Sequence, residues 1–144
     1  MRKLFCVLVA AIFIFSCKKS EAPADTCRIS ATTIVGTYKI TAMKYKASSS
    51  ATEQDWFSFL ADCDKDNSFE LKTDNSVVVG DGANVCPGPP PPGTVTAWSL
   101  SADNKVFTLD AVYDVISFDC ITLIVTEKDR LVAGDTRTVT YVKQ

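Results

Sequence analysis

The residues with the plainest chemical potential lie in one short run, where Asp62, Asp64, Asp66, Ser68 and Glu70 alternate as oxygen donors. Their spacing matches positions 1, 3, 5, 7 and 9 of a calcium-binding loop, which wraps a hard cation in carboxylate and hydroxyl oxygens. Such a loop needs glycine at position 6 for its sharp turn and a bidentate glutamate at position 12. Asn67 and Thr73 stand there instead. A solvated acidic turn leading into a strand is therefore the expected role; calcium stays a weak candidate and no metal is assigned. Histidine is absent from all 144 residues. That removes Ser-His-Asp and Cys-His activation of a nucleophile, the HExxH zinc site and an imidazole pH switch. Asp110 and Asp114 are close in sequence, but alternate acids on a strand usually face water, and nothing fixes the separation that glycoside hydrolysis requires. No enzyme and no cofactor are expected. Nor is nucleic acid, because 15 basic residues against 17 acidic ones leave no basic surplus to neutralise phosphates.

The N-terminus has the form of an address. Arg2 and Lys3 precede an unbroken apolar run from Leu4 to Phe15. A run of that length rises about 18 Å as a helix against a hydrocarbon layer of roughly 30 Å, so it reads as an export signal rather than a span. Ile14-Phe15-Ser16-Cys17 resembles the lipobox of bacterial lipoproteins, with an aliphatic residue three places before a cysteine and a small residue directly before it. Phe15 is bulkier than the residue commonly found at its place. The resemblance implies that residues 1–16 are removed and that Cys17 carries acyl chains such as palmitate. Two or three chains anchor durably where one binds marginally. Residues 17–30 would then hold the lipidated cysteine and a polar tether, KKSEAPADT over 18–26. The domain over 31–144 would sit at a membrane surface, on the outer membrane of a cell envelope, facing the periplasm or the exterior. Its mature charge balance is 13 basic against 17 acidic residues, a net of −4.

With Cys6 in the signal and Cys17 lipidated, Cys27, Cys63, Cys86 and Cys120 remain. An even set in an oxidising compartment predicts two disulfides, and four cysteines allow three pairings. A zinc site of four thiolates is disfavoured because no Cys-x-x-Cys spacing occurs.

The elements that must position these residues are strands. Residues 33–46 are rich in β-branched and aromatic side chains, with Ile34, Tyr38 and Ile40 on one face and Thr37, Lys39 and Thr41 on the other. The phase then changes, since Met43 and Tyr45 fall on the opposite parity, which predicts a bulge near Ala42. Ser50-Ala-Thr-Glu53 has the form of a capping box, and Trp56, Phe59, Leu60 and Cys63 follow at helical spacing, predicting a short helix over 51–62. Further alternations run through Phe69–Leu71, Val77–Val79, Trp98–Leu100, Phe107–Leu109, Val112–Phe118, Ile121–Val125 and Thr136–Val142. Asp74-Asn75, Gly80-Asp-Gly82, Asp103-Asn104, Asp119-Cys120 and residues 128–134 supply turn chemistry between them. Cys86-Pro-Gly-Pro-Pro-Pro-Pro-Gly93 predicts a stiff connecting loop. The expectation is an all-β fold of about eight strands, an antiparallel up-and-down barrel, with a β-sandwich as the alternative.

Gly36-Thr37-Tyr38 looks like the Gly-x-Trp opening of lipocalin-like domains, with Tyr38 in the Trp place. The later order is closer still. Cys63-Asp-Lys-Asp-Asn-Ser-Phe69, Thr73-Asp-Asn-Ser, Cys86, Gly93 through Trp98-Ser-Leu, and Tyr113-Asp-Val-Ile-Ser-Phe118 follow one another as in the small lipocalin-like domains of many bacterial lipoproteins. The resemblance spans roughly residues 33 to 143. It implies a lipocalin-like barrel in which Cys63 pairs with Cys86, and hence Cys27 with Cys120. Tyr38, Phe69, Leu71, Trp98, Phe107, Leu109, Phe118 and Leu123 should point inward, as ligand lining or as core. The leading functional expectation is a membrane-anchored module that binds a small apolar or amphipathic ligand. The alternative is a solid-core surface structural or interaction protein.

Overall fold

The run of β-branched and aromatic residues after Ile34 forms the longest strand among the described residues, β1 (Gly36–Lys46). In this computed structural model, which describes residues 27–87 and 97–144, eight more strands follow. They are β2 (Gln54–Asp55), β3 (Ser68–Leu71), β4 (Val77–Gly80), β5 (Ser99–Leu100), β6 (Val106–Thr108), β7 (Val112–Phe118), β8 (Thr122–Lys128) and β9 (Thr136–Lys143). The expected signal, Cys17, its tether and most of the proline run lie outside the described residues. Among the described residues, no helix is long and apolar enough to cross a membrane.

All pairings are antiparallel and join the strands into one sheet, ordered β4-β3-β1-β9-β8-β7-β6-β5, with β2 on the edge of β1. The sheet is an up-and-down meander in which the first and last long strands are zipped together, and it curls into a half-barrel. Its two ends, β4 and β5, approach at a single bridge, Ser76 to Ala97. Trp98 reinforces that seam: its backbone N–H donates to Asn75 O at 2.9 Å and its indole N–H to Lys72 O at 2.9 Å.

Two bulges decide which side chains face inward. The register between β1 and β9 shifts between Ile40 and Ala42, so Tyr38 and Ile40 share a face with Met43 and Tyr45 despite their opposite parity. This is the re-aiming that the sequence pattern predicted. A second shift, between Val115 and Ser117 in β7, sets Phe118 opposite Leu123 and leaves Ile116 exposed. Four of the five predicted turns hold a non-glycine residue in the left-handed region, Asn75 (φ 66°), Asn104 (φ 59°), Cys120 (φ 74°) and Asp129 (φ 54°), whereas the one at Gly80–Gly82 does not. In three of them the preceding aspartate accepts backbone N–H bonds within the turn. Asp74 takes Ser76 N at 2.9 Å, Asp103 takes Lys105 N at 3.3 Å, and Asp119 takes Ile121 N and Thr122 N at 3.0 and 2.6 Å.

The helix expected over 51–62 is replaced by other structure. Glu53 does not cap; it pairs with Lys44 at 2.9 Å. Gln54 and Asp55 add to β1 opposite Tyr45 and Lys44, and Trp56 N donates to Met43 O at 2.9 Å. A single 3-10 turn, Phe57–Phe59, and a one-turn helix α1 (Asp62–Lys65) complete the segment. The physical reason is the edge of β1: β3 covers only Gly36 to Lys39, so the upper half of β1 needs a backbone partner that a helix would withhold. Trp56 instead stacks on Tyr45, with centroids 4.1 Å apart, and Phe59 is left 79% exposed.

Two disulfides staple the sheet. Cys27 joins Cys120 across 93 residues, and Cys63 joins Cys86 across 23, the pairing that the family resemblance implied.

Candidate functional site

The concave face of the half-barrel is the natural place for a site, and alternation along the strands directs most of the expected residues there. Tyr38, Leu71, Trp98, Phe107, Leu109 and Leu123 are buried, and Phe69 and Phe118 are half-buried against them. Six of the eight, all but Trp98 and Phe118, together with Tyr141, surround one interior void of about 10 Å³. That is room for about one water molecule, whereas small-molecule pockets run to roughly 300–1,000 Å³. The Tyr38 hydroxyl reaches across to Ile34 O at 2.8 Å, and burial pushes its phenol up to about 12. Trp98 serves the seam rather than the lining. A second, shallow depression of about 290 Å³ lies open between Val35–Thr37 and Glu70–Asp74.

At the other end of the interior the row of apolar side chains gives way to charge. On β9, Arg137 shares the inward face with Val139 and Tyr141; on β8, Glu127 shares it with Leu123 and Val125. The ladder sets Arg137 opposite Glu127 on one side and Tyr45 on the other. Arg137 is 5% exposed. Its Nη2 donates to the Tyr113 hydroxyl at 2.6 Å and lies 3.5 Å from Asp110 Oδ2, while Tyr113 in turn donates to Asp110 Oδ1 at 2.6 Å. Arg137 Nε is 2.8 Å from Glu127 Oε2, yet its N–H is not aimed for a hydrogen bond, so that contact is coulombic. Arg130 adds a second cation to Glu127 at 3.0 Å.

Burial disfavours the guanidinium charge, but Tyr113, Asp110 and Glu127 outweigh it and hold Arg137 above its ordinary range. Burial, with Tyr141 and Asp110 nearby, drives the Tyr113 phenol far up, and burial does the same to Tyr141. Both tyrosines are therefore neutral hydrogen-bonding groups at physiological pH, unsuited to act as bases.

Beside this network Asp135, 1% exposed, ties down the β8–β9 loop. Its carboxylate accepts Arg130 N at 2.7 Å, Leu131 N at 2.9 Å, Val132 N at 3.1 Å and the Tyr45 hydroxyl at 2.9 Å. Burial raises its pKa, but these donors prevail and hold it below the usual carboxylate range. The loop they organise presents Leu131 and Val132 to solvent.

The acidic run does not form a calcium loop. Asp62 and Asp64 are on α1, where Asp62 pairs with Lys65 at 3.1 Å. Asp66 accepts both Asn84 N and Nδ2, at 2.9 and 3.1 Å. Ser68 and Glu70 lie on β3, the serine donating to Gly80 O at 3.4 Å and the glutamate 3.9 Å from Lys72. Helical turn and strand send Asp62, Asp66, Ser68 and Glu70 to four different partners instead of around one centre. Among the described residues, the metal-ligand grouping is Cys63, Asp64 and Cys86, and its two sulfurs are bonded to each other.

Sequence reasoning missed the Arg137 network and Asp135. A signal was present: Leu123-x-Val125-x-Glu127 and Arg137-x-Val139-x-Tyr141 each place a charge at one end of an apolar row. Comparisons of the chain with family models, with curated proteins and with solved structures give no match.

Proposed function

We propose that this chain is a lipid-anchored, lipocalin-like envelope lipoprotein whose barrel is a solid scaffold for surface contacts rather than a vessel for a ligand. One observation carries the reading: among the described residues, the void that Tyr38, Phe107, Leu123 and Tyr141 help to line is about 10 Å³. Aromatic and aliphatic side chains fill the concave face at one end, and the Arg137 network fills it at the other. Two disulfides suit an oxidising compartment outside the cytoplasm. The anchor is read from the lipobox at Cys17, with the outer membrane as its site. The organised β8–β9 loop is a fitting contact element, because Asp135 fixes its backbone before any partner arrives.

Binding of a small apolar ligand is the second reading, favoured by the convergence of six expected lining residues on one void. It requires those side chains to move apart. Titration of the mature chain carrying Cys17→Ser with a fluorescent fatty-acid analogue separates the two. The solid-scaffold reading expects no saturable signal; one-to-one saturation that is lost on filling the void with Leu123→Phe would overturn it. In the intact cell, Cys17→Ala should release the protein from membranes.

A further inference from the structure

We infer that the turn between β7 and β8 rests on the lipid surface, with the β8–β9 loop held away from it, and that the Cys27–Cys120 bridge sets this orientation. The inference builds on the anchored reading of Cys17. Ten peptide links separate Cys17 from Cys27. They span at most about 35 Å fully extended. Where that tether meets the body is fixed covalently, because Cys27 is bonded to Cys120 within the β7–β8 turn. The start of β1 and the end of β9 lie at the same end of the sheet: Tyr38 pairs with Lys143, Thr122 with Val142, and Lys143 N donates to Ile121 O at 2.7 Å. The β8–β9 loop is at the far end of β8, whose seven residues rise about 24 Å.

To bring that loop to the bilayer, about two thirds of the tether's greatest reach would have to be laid along the length of the barrel. The turn reaches the bilayer with almost none of it. Hydrophobicity alone does not choose between the two ends. Ile121, in the turn, is 60% exposed and Ile116, on the outward bulge of β7, is 59% exposed. Leu131 and Val132, on the far loop, are 61% and 53% exposed. Covalent geometry breaks the tie. Asp119 accepts the N–H groups of Ile121 and Thr122, which fixes the backbone of the turn, and its exposed carboxylate belongs at the level of the lipid headgroups with the isoleucines.

The test uses the full mature lipidated chain in phosphatidylcholine vesicles with brominated acyl chains. Ile121→Trp and Leu131→Trp are prepared separately, both at exposed positions, and quenching is read after subtracting the signal of the unsubstituted protein. The added indole at 121 should be quenched about threefold or more relative to that at 131, given the tether's reach. Inserting about twenty Gly/Ser residues after Pro23 should bring the ratio close to one, because the lengthened coil then exceeds the barrel's length. Equal quenching without the insertion, or a ratio that the insertion leaves unchanged, overturns the proposed orientation. Protein that fails to float with the vesicles, with Cys17 unmodified, overturns the anchored reading itself.

Discussion

The two ends of the barrel interior solve the same problem with opposite materials. Around Phe107, Leu123 and Tyr141 the concave face is closed by apolar packing with almost no space left. Around Arg137 it is closed by a cation held among Glu127, Asp110 and the Tyr113 hydroxyl. Apolar packing gains stability from every atom removed from water and contains no charge for salt to screen or pH to titrate. The charged end gains little net energy, because desolvation offsets attraction, but it penalises any arrangement that leaves one member unpaired. The apolar end thus supplies stability, and the polar end constrains which strands sit next to each other.

The largest effect that tests this contrast is truncation at the apolar end. Phe107→Ala should cost about 4 kcal/mol, seen as an equal loss in urea melts at low and at high salt. Loss of the Cys63–Cys86 bridge, in Cys63→Ser/Cys86→Ser, should cost about 3 kcal/mol through loop entropy and leave both interior ends as they were. At the polar end, Arg137→Met should cost about 2 kcal/mol. That is less than for a fully dry pair, because Asp110 is 43% exposed and Glu127 keeps Arg130. Adding Glu127→Gln to Arg137→Met should recover part of that loss, and a double variant worse than the sum would contradict the division drawn here.

Titration gives subtler tests. All four tyrosines, Tyr38, Tyr45, Tyr113 and Tyr141, have phenols raised by burial. An unfolded phenol loses its proton near pH 10, so the folded state binds more protons above that pH and stability declines as pH rises from about 10 towards the folded values. Absorbance at 295 nm should therefore show less phenolate in the native protein than in the unfolded chain at pH 10, with most of the signal from Tyr38, Tyr113 and Tyr141 appearing together with unfolding. Full ionisation of all four tyrosines near pH 10 in protein that is still folded would contradict the burial of these groups.

On the acid side, Asp74, Asp103, Asp119 and Asp135 are held below their ordinary range. Hydrogen bonds within their turns lower the first three; for Asp135, burial works in the opposite direction and its donors prevail. Their stabilisation is complete above about pH 4, the unfolded value, and disappears as pH falls through the folded values. The melting temperature should stay level from pH 7 to 5 and drop below 4, and Asp135→Asn should flatten that drop.

The apolar end was legible in the sequence because alternation is a period of two and every inward residue is of one kind. The turns were legible because aspartate and asparagine identify themselves by their own hydrogen bonds. The segment over 51–62 was misread because a capping box and helical spacing are local signals, whereas the unpaired edge of β1 is a demand made by residues distant in sequence. Arg137 escaped for a related reason. Its partners come from β7, β8 and the β6–β7 turn, and only the folded register gathers them. The calcium-like spacing, which already ranks behind an acidic turn in the sequence for want of Gly and Glu at its key positions, is divided between a helical turn and a strand.

The zipping of β9 between β1 and β8 affects how the protein folds. The pairing runs from Tyr38 opposite Lys143 to Lys46 opposite Thr136, between segments far apart in the sequence. Until β9 docks, β1 and β8 each keep an open edge along most of their length, and closing it waits on a long-range encounter, a slow step in folding. The sheet is therefore completed from its middle, by a strand that arrives between two others already laid down.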